Sequence, residues 1–236
     1  MTGFLKDDTQ YLKYFPQYNN DLLSSNDFDI TSTEIRQKYF KGEELNITNQ
    51  LPNETLEFLQ KFKRHNNGET YKYLQEEYKF LKNYKEKFKS LPYQIPFVTG
   101  DAIVVCCGHA LIIKRKKHPG KNLFAIPGGF FKNDDGTQID TAIRELVEET
   151  RLKIPELFLK ACIKKSDDFS DKNRSLRGRV LTKAVLINLP DQYALPKVKP
   201  ADDAIDALWM PISSIIENKD KFFEDHYQIL ECMLGL

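Results

Sequence analysis

A glycine pair placed directly before an amphipathic helix is the feature that most constrains how this chain folds. Residues 125–152 read AIPGGFFKNDDGTQIDTAIRELVEETRL. Apolar side chains recur every three to four residues over 139–150, which predicts a helix with one face packed inward. Thr137 is a suitable N-cap, and Asp140 is a weak capping-box partner three residues later. This helix therefore needs a second layer to cover its apolar face.

Three glutamates share one side of the predicted helix. Glu145, Glu148 and Glu149 occupy positions i, i+3 and i+4, so they lie on one arc beside the buried face. Carboxylates this close repel one another unless a cation lies among them, and oxygen ligands of this kind suit Mg²⁺ or Mn²⁺. Arg144 lies four residues before Glu148 and can orient it. We predict the three glutamates as metal ligands and, together with Arg144, as catalytic residues.

The glycine pair suits a phosphate ligand. Pro127-Gly128-Gly129 can adopt backbone angles closed to other residues and lets a diphosphate approach the main chain. The loop and the helix would then hold one ligand between them. An acidic, solvated helix surface is the alternative explanation of R-E-x-x-E-E alone, since charge runs usually face water. The preceding glycine pair favours the metal and phosphate site.

Composition narrows the class of protein and the compartment. The 236 residues suffice for one domain and part of another, and 35 basic against 34 acidic residues give a net charge of +1. This balance predicts no nucleic-acid or membrane partner, and no apolar run is long enough to span a bilayer. Four cysteines without a C-x-x-C pair favour buried thiols in a reducing cytoplasm over a metal or disulfide role: Cys106, Cys107, Cys162 and Cys232.

The glycine pair and the glutamate helix together resemble the Nudix box, whose pattern is G-x5-E-x7-R-E-U-x-E-E-x-G-U with U aliphatic. Three positions depart from it. One extra residue lies between Gly129 and Arg144, Gly136 stands at the glutamate position eight before Arg144, and Arg151 replaces the late glycine. Loss of that glutamate is expected to weaken loop anchoring or metal affinity. The matching positions are Gly129, Arg144, Glu145, Leu146, Glu148, Glu149 and Leu152.

The first fifty residues carry separate motifs. Hydroxyls followed by an arginine at a predicted helix start, residues 31–36, can cradle a phosphate, although a capped helix start is the commoner origin of this pattern. The segment resembles the C-terminal part of nicotinamide mononucleotide adenylyltransferases, which implies phosphate contacts from Thr31, Thr33 and Arg36. The G-x-x-x-P-x-H-x-G-H segment that opens those enzymes is absent. We therefore expect a truncated transferase half without adenylyl transfer of its own.

Hydrophobic periodicity places the remaining elements. Two helices precede the strands, a short one at 53–66 with Asn53 as N-cap and a bridging one at 69–89. Basic residues 114–118 fit either a phosphate contact or solvated lysines. A polar loop is expected at 167–174, and two helices close the chain. Apolar, β-branched runs predict strands at 102–107, 110–113, 157–164 and 180–189, the first two joined by a Gly108-His109 turn.

Three arginines surround a glycine before the last of these strands, and they can make bidentate contacts to a diphosphate or ribose phosphate. The stretch from about 91 to 216 resembles the Nudix domain of bifunctional nicotinamide mononucleotide adenylyltransferase/ADP-ribose pyrophosphatase enzymes. The matching motifs are P-Y-x-x-P-F-V-T-x-D-A, P-G-K-x-L-x-A-x-P-G-G-F, R-S-L-R-G-R and A-D-D-A. The resemblance implies substrate contacts from Gly128, Gly129, Arg174, Arg177, Arg179 and Asp203.

The resemblance implies an α/β fold, a Nudix α/β/α sandwich with a mixed sheet, preceded by a partial Rossmann-like nucleotidyltransferase segment and a bridging helix. The corresponding domains are 1–66, 67–92 and 93–236. The implied activity is Mg²⁺- or Mn²⁺-dependent hydrolysis of ADP-ribose to AMP and ribose 5-phosphate in NAD metabolism, in a chain compatible with a homo-oligomer. The general base stays open between a box glutamate, Asp202 and Asp203.

Two other functions fit the same motifs. One is a non-hydrolytic ADP-ribose-binding regulatory module, which the retained glutamates disfavour. The other is a Nudix hydrolase of another nucleoside diphosphate, such as NADH or a sugar nucleotide, which the box does not discriminate. Adenylyl transfer would require the missing half of the transferase.

Overall fold

A computed structural model of the chain describes residues 2–4, 21–23, 32–43, 51–191 and 194–236. It divides into two compact units, Met1–Lys79 and Phe80–Leu236. In these described ranges, no helix is both long and apolar enough to cross a membrane.

In the described part of the first unit, the chain forms two short parallel strands and three α-helices. The strands are β1 (Thr2–Phe4) and β2 (Asp21–Leu23). The helices are α1 (Ser32–Lys41), α2 (Asn53–Arg64) and α3 (Glu69–Glu86), the last of which continues past the unit boundary. The predicted cap of α2 is wrong by one residue, because Pro52 is the N-cap and no side chain caps this end.

Tyr39 is the buried side chain of α1. Its hydroxyl donates to the carbonyl of Leu59 at 2.7 Å, and its carbonyl accepts from the hydroxyl of Tyr71. The Lys63 ammonium lies 5.2 Å from the Tyr39 ring centroid, within cation–π range. These contacts join α1, α2 and α3.

The second unit is built on a seven-stranded sheet. Its strands are, in chain order, β3 (Phe97–Cys106), β4 (His109–Arg115), β5 (Phe124–Ala125), β6 (Gly128–Phe130), β7 (Ile163–Phe169), β8 (Val180–Asn188) and β9 (Ala204–Pro211). The order across the sheet is β5-β4-β3-β8-β7, with β6 also paired to β3 and β9 to β4. β3 and β8 run parallel and the other pairs antiparallel. The sheet is therefore mixed, as predicted.

Helices cover both faces of this sheet because β3 is apolar on both sides. Ala102, Val104 and Cys106 pack in one cluster with side chains of α4 (Gln138–Thr150). Ile103, between them, packs in a second cluster with α6 (Ile212–Glu217) and α7 (His226–Leu234). The predicted α/β/α sandwich is confirmed.

Helix α4 begins and ends where local chemistry favours it. Thr137 is the N-cap, and its hydroxyl accepts from the Asp140 N–H at 3.3 Å and donates to the Asp140 carboxylate at 2.8 Å. Arg151 is the C-cap with φ of 50°. This left-handed conformation favours glycine, which explains why the Nudix pattern has glycine at that position.

The strand predicted at 157–164 is wrong. Residues Glu156–Ala161 form helix α5, and β7 begins only at Ile163. Pro155 precedes the helix, and its carbonyl accepts from the Phe158 N–H at 2.9 Å. Leu157 is 81% exposed whereas Leu159 is fully buried, and two residues so spaced would share a face only in a strand. The loop expected from residue 167 also starts later, because β7 continues along β8 to Phe169.

His226, at the start of α7, supports the chain just before the glycine pair. Its Nδ1 accepts from the Ile126 N–H at 3.0 Å, and the imidazole is buried. Burial lowers the pKa of His226 well below its usual value, and the guanidinium charges of Arg115, Arg174 and Arg177 lower it further. The imidazole is therefore neutral in the folded protein.

The variant His226→Gln tests this neutral histidine, because glutamine can still accept the Ile126 N–H but does not titrate. Below the unfolded-state pKa of about 6.5, the unfolded chain binds a proton that the folded chain does not. Wild-type stability should be complete above that pH and fall below it more steeply than that of the variant, by up to about 1.4 kcal/mol per pH unit. Urea unfolding at about pH 8 and about pH 5.5 measures the difference. Equal pH dependence of the two proteins would contradict the interpretation.

Candidate active site

The glycine pair lies directly against helix α4. A Cβ on Gly129 would lie 2.4 Å from Cδ of Glu145, and a Cβ on Gly128 would lie 2.0 Å from Oδ1 of Asp101. Neither glycine has a positive φ, so the expectation of backbone angles closed to other residues is wrong. Space is what requires glycine here. The close approach lets the Gly128 N–H donate to Oε2 of Glu149 at 3.0 Å.

The three glutamates of α4 have different surroundings. Glu145 and Glu149 are buried, whereas the Glu148 side chain is 38% exposed. Burial raises the pKa of Glu149 to about 8, against the opposing effect of the Gly128 N–H. Burial also raises the pKa of Glu145. The site thus contains carboxylates that favour either a proton or a cation.

A group of acidic oxygens that could hold a metal ion forms beside the glycine pair. Glu145, Glu148 and Asp202 each offer one oxygen, and these atoms lie within 4.8 Å of one another. Hard oxygen donors in such a cluster fit Mg²⁺ or Mn²⁺. The carbonyl of Glu149 accepts from the Ala201 N–H at 2.9 Å, and this contact holds the loop that carries Asp202. Of the predicted ligands, Glu145 and Glu148 belong to the group, whereas the Glu149 carboxylate faces Gly128.

Arg144 has a partner that the sequence analysis missed. Its Nε and Nη2 donate to the two oxygens of Asp135, each at 2.8 Å, and this pairing holds the pKa of Asp135 well below its usual range. Arg144 also donates to Glu145 at 2.6 Å and to Glu148 at 3.1 Å. Asp135 lies six residues after Gly129, the spacing of the glutamate in the Nudix pattern. Counting from the glycine instead of the arginine would have found it.

Asp101 was quoted within a motif but not given a role. It is buried beneath Gly128 and accepts from the Thr182 hydroxyl at 2.7 Å. Burial raises the pKa of Asp101 to about 6, partly offset by that hydrogen bond. Asp101 therefore adds another acidic group close to the glutamate helix.

Two of the three arginines before β8 are held by the segment that precedes α7. The Arg174 side chain is 3% exposed and donates to both carboxylate oxygens of Asp225 at 2.9 Å. Arg177 donates to Oε2 of Glu224 at 3.2 Å, and its guanidinium lies 5.5 Å from the Phe130 ring centroid. Arg174 thus holds the loop from its buried side, while Arg177 lies beside Phe130, the residue after the glycine pair.

Two cavities meet at Arg177. One, of about 510 Å³, is lined by aromatic and basic side chains and by Asp203, whose carboxylate pairs with Lys117 at 2.7 Å. The other, of about 390 Å³, includes Arg179 and Phe97. Aromatic faces and cations in one cavity can receive a nucleotide, because bases stack and phosphates pair. The aromatic and arginine side chains that line the larger cavity are Phe80, Tyr84, Phe130, Arg115 and Arg177.

The predicted phosphate contacts of the first unit are only partly described. Thr31 lies outside the described residues. Thr33 and Arg36 are exposed on α1, two and five residues after that position. Their role in binding phosphate stays a prediction.

A NUDIX domain family model matches residues 96–232. The chain belongs to the Nudix family. This membership confirms the family predicted from the glycine pair and the glutamate helix, and with it the predicted enzyme class, a Nudix pyrophosphohydrolase. The matched range contains every residue of the candidate metal group.

Relatives of this Nudix chain resemble it beyond the box. An ADP-ribose pyrophosphatase of Methanocaldococcus jannaschii is 30% identical over 139 residues, which are 59% of this chain and 73% of that protein. The crystal structure of a bifunctional NMN adenylyltransferase/ADP ribose pyrophosphatase from Francisella tularensis matches with a TM-score of 0.87 and 33% identity, covering 99% of this chain and 68% of that one. A second structure from that organism, complexed with AMP and a Mn ion, gives 0.85 and 32%, covering 96% and 66%. The chain thus spans about two thirds of these solved relatives, and the predicted resemblance is confirmed.

Asp135→Asn tests the anchor of Arg144. The amide keeps the shape of the side chain but removes the charge and one of the two acceptors, so the free energy of unfolding should fall by about 2 kcal/mol. Denaturant unfolding measures this loss. The matched control is Asp134→Asn, an exposed neighbour, which should change stability by less than about 0.5 kcal/mol. Equal losses of stability in the two variants would show that Asp135 does not anchor Arg144.

Proposed function

We propose that this Nudix enzyme hydrolyses ADP-ribose to AMP and ribose 5-phosphate in NAD metabolism, with Mg²⁺ or Mn²⁺ bound. One observation carries the proposal: the oxygens of Glu145, Glu148 and Asp202 cluster within 4.8 Å beside a glycine pair that has no room for a side chain. A diphosphate could approach this backbone closely while its charge faces the cation site. The ADP-ribose pyrophosphatase relatives from Methanocaldococcus and Francisella support the choice of substrate.

The metal would be held by Glu145, Glu148 and Asp202. When bound there, the ion would neutralise part of the diphosphate charge and lower the pKa of the attacking water. Arg144 keeps two of these carboxylates in place before any ligand arrives, since it donates to both Glu145 and Glu148. The Mn ion in one Francisella structure is consistent with this choice of metal.

The substrate would extend from the glycine pair into the cavities at Arg177. Hydrolysis adds water to one phosphorus and breaks its bond to the bridging oxygen, so negative charge develops on phosphoryl oxygens. Arg177 and Arg179 line this region and can stabilise that charge. Phe80, Tyr84 and Phe130 offer apolar ring faces on which the adenine base can stack.

A role separate from hydrolysis fits the N-terminal part of the chain. We propose that residues 1–66 are the C-terminal portion of a nucleotidyltransferase domain, residues 67–92 a bridging helix and residues 93–236 the Nudix domain. The bifunctional name of the Francisella relatives supports this division. Thr31, Thr33 and Arg36 would contact nucleotide phosphate in that domain.

The test is release of AMP from ADP-ribose, with and without Mg²⁺, by the wild-type chain and by Glu148→Gln. We expect metal-dependent release in the wild type and a loss of about 100-fold or more in kcat for the variant, because a metal ligand loses its charge. Glu156→Gln, a glutamate of α5 that pairs with Lys160, is the control and should keep the wild-type rate.

Three outcomes would change the proposal. ADP-ribose binding without cleavage would favour the regulatory binding module. Faster cleavage of NADH or a sugar nucleotide would replace the substrate. Full activity of Glu148→Gln would indicate that the metal is bound elsewhere than at the glutamate helix.

A further inference from the structure

Glu224 makes an unusual set of contacts for a residue outside the Nudix box. Its Oε1 accepts from the Ser175 hydroxyl at 2.7 Å and from the Leu176 N–H at 3.3 Å. Its Oε2 accepts from Nη2 of Arg177 at 3.2 Å. The Glu224 side chain is 8% exposed and the Arg177 side chain 14%. One carboxylate therefore holds three consecutive residues of the loop 174–179, which we call the arginine loop.

The backbone of Glu224 is held in an unfavourable conformation. Its φ is 46°, in the left-handed region that residues other than glycine and asparagine rarely adopt. The neighbouring residues supply the restraint: Phe223 is buried and its N–H donates to the Phe124 carbonyl at 2.8 Å, while Asp225 pairs with Arg174. The conformation aims the Glu224 carboxylate at the arginine loop. Such strain is commonly kept where it serves a site.

Arg177 is fixed on several sides by this arrangement. Its backbone N–H and its Nε both donate to the Ser175 hydroxyl at 3.2 Å. Its guanidinium lies 5.5 Å from the Phe130 ring centroid and 5.6 Å from that of Phe223. Within the described part of the chain, Arg177 donates hydrogen bonds through its backbone N, Nε and Nη2, so we expect Nη1 to be the nitrogen that a ligand contacts. Arg177 lines both cavities.

We infer that Glu224 is a positioning residue, which sets the affinity of the site for the diphosphate of its nucleotide by holding Arg177 at the junction of the two cavities. A long arginine side chain loses rotamer freedom when it binds a phosphate, and a guanidinium already fixed in place loses less. The inference deepens the proposed function and rests on it for the identity of the nucleotide. It assigns Glu224 no contact with the reacting atoms.

A rival effect has the opposite sign, which makes the inference testable. The negative charge of Glu224 partly neutralises Arg177, so removal of that charge alone would strengthen the attraction between Arg177 and a phosphate. Positioning predicts weaker binding when Glu224 is changed, whereas simple charge competition predicts tighter binding.

The variant Glu224→Gln separates the contact with Arg177 from the anchoring of the loop. The amide oxygen can still accept from Ser175 and Leu176, whereas the amide nitrogen, in place of Oε2, cannot accept from Arg177. Arg177→Met removes the guanidinium, and the double variant completes a cycle. Glu217→Gln, an exposed glutamate on α6, is the matched control.

The measurements are kcat and KM for ADP-ribose with Mg²⁺, and the Kd of ADP-ribose by calorimetry in EDTA, where no cleavage is expected. For Glu224→Gln we expect KM and Kd to rise about tenfold. Because Arg177 also faces the charge that develops on the phosphoryl oxygens, kcat should fall too, but by less than in Arg177→Met. The double variant should bind no more weakly than Arg177→Met, because Glu224 acts through Arg177. Glu217→Gln should match the wild type.

Two results would overturn the inference: a KM and Kd that are unchanged or lower in Glu224→Gln, or additive effects in the double variant, which indicate that Glu224 acts independently of Arg177. A merely structural role would lower the unfolding temperature without this non-additivity in Kd. If the wild-type chain binds ADP-ribose but does not cleave it, the proposed function fails, and the Kd comparison still decides the role of Glu224.

Discussion

The guanidinium of Arg144 donates to the carboxylates of Asp135, Glu145 and Glu148 and to the carbonyl of Phe130. Without a cation among them, carboxylates at this spacing would repel one another and turn outward. Arg144, together with Lys132 at 3.4 Å from Glu148, offsets this repulsion before any metal binds. Because Phe130 belongs to β6, Asp135 to the loop after it and the glutamates to α4, the same cation also joins the strand and the loop to the helix.

The close approach of loop, strand and helix depends equally on missing side chains. A Cβ on Gly100 of β3 would lie 2.3 Å from the carbonyl oxygen of Gln138 in α4, as tight as the approach of Gly129 to Glu145. Three elements of two layers therefore interlock where β3, β6 and α4 meet, and a single methyl group would force them apart. This interlock brings the Gly128 N–H within reach of the buried Glu149 carboxylate, which keeps that carboxylate out of the metal group.

Prediction from the sequence worked where the determinants are local. The period of α4 and its Thr137 cap lie within one segment, so they were predicted correctly. The spacing of Glu145 and Glu148 also predicted that their carboxylates lie close together. It failed at 157–164, because a short apolar run is compatible with either a strand or a helix. Pro155, which favours a helix start directly after it, was not taken into account. Asp135 was missed because the position of the box glutamate was counted back from Arg144. The extra residue of the loop lies between Asp135 and Arg144, so this count reaches Gly136 instead. The grouping of Asp202 with Glu145 could not be predicted, since only the folded sheet brings the 201–203 loop to the end of α4.

The two halves of the site are encoded at different distances along the chain. Arg144 and Asp135, which order the acidic half, are nine residues apart, whereas Arg177 and Glu224, which order the basic half, are 47 apart. The acidic half thus needs little more than α4 and its preceding loop, the segment that the Nudix pattern describes. The basic half needs the chain to return after β9 and place Phe223, Glu224 and Asp225 against the arginine loop. The pairing that orders the acidic half can therefore form within one segment, whereas the pairing that orders the basic half forms only when the chain after β9 has folded back.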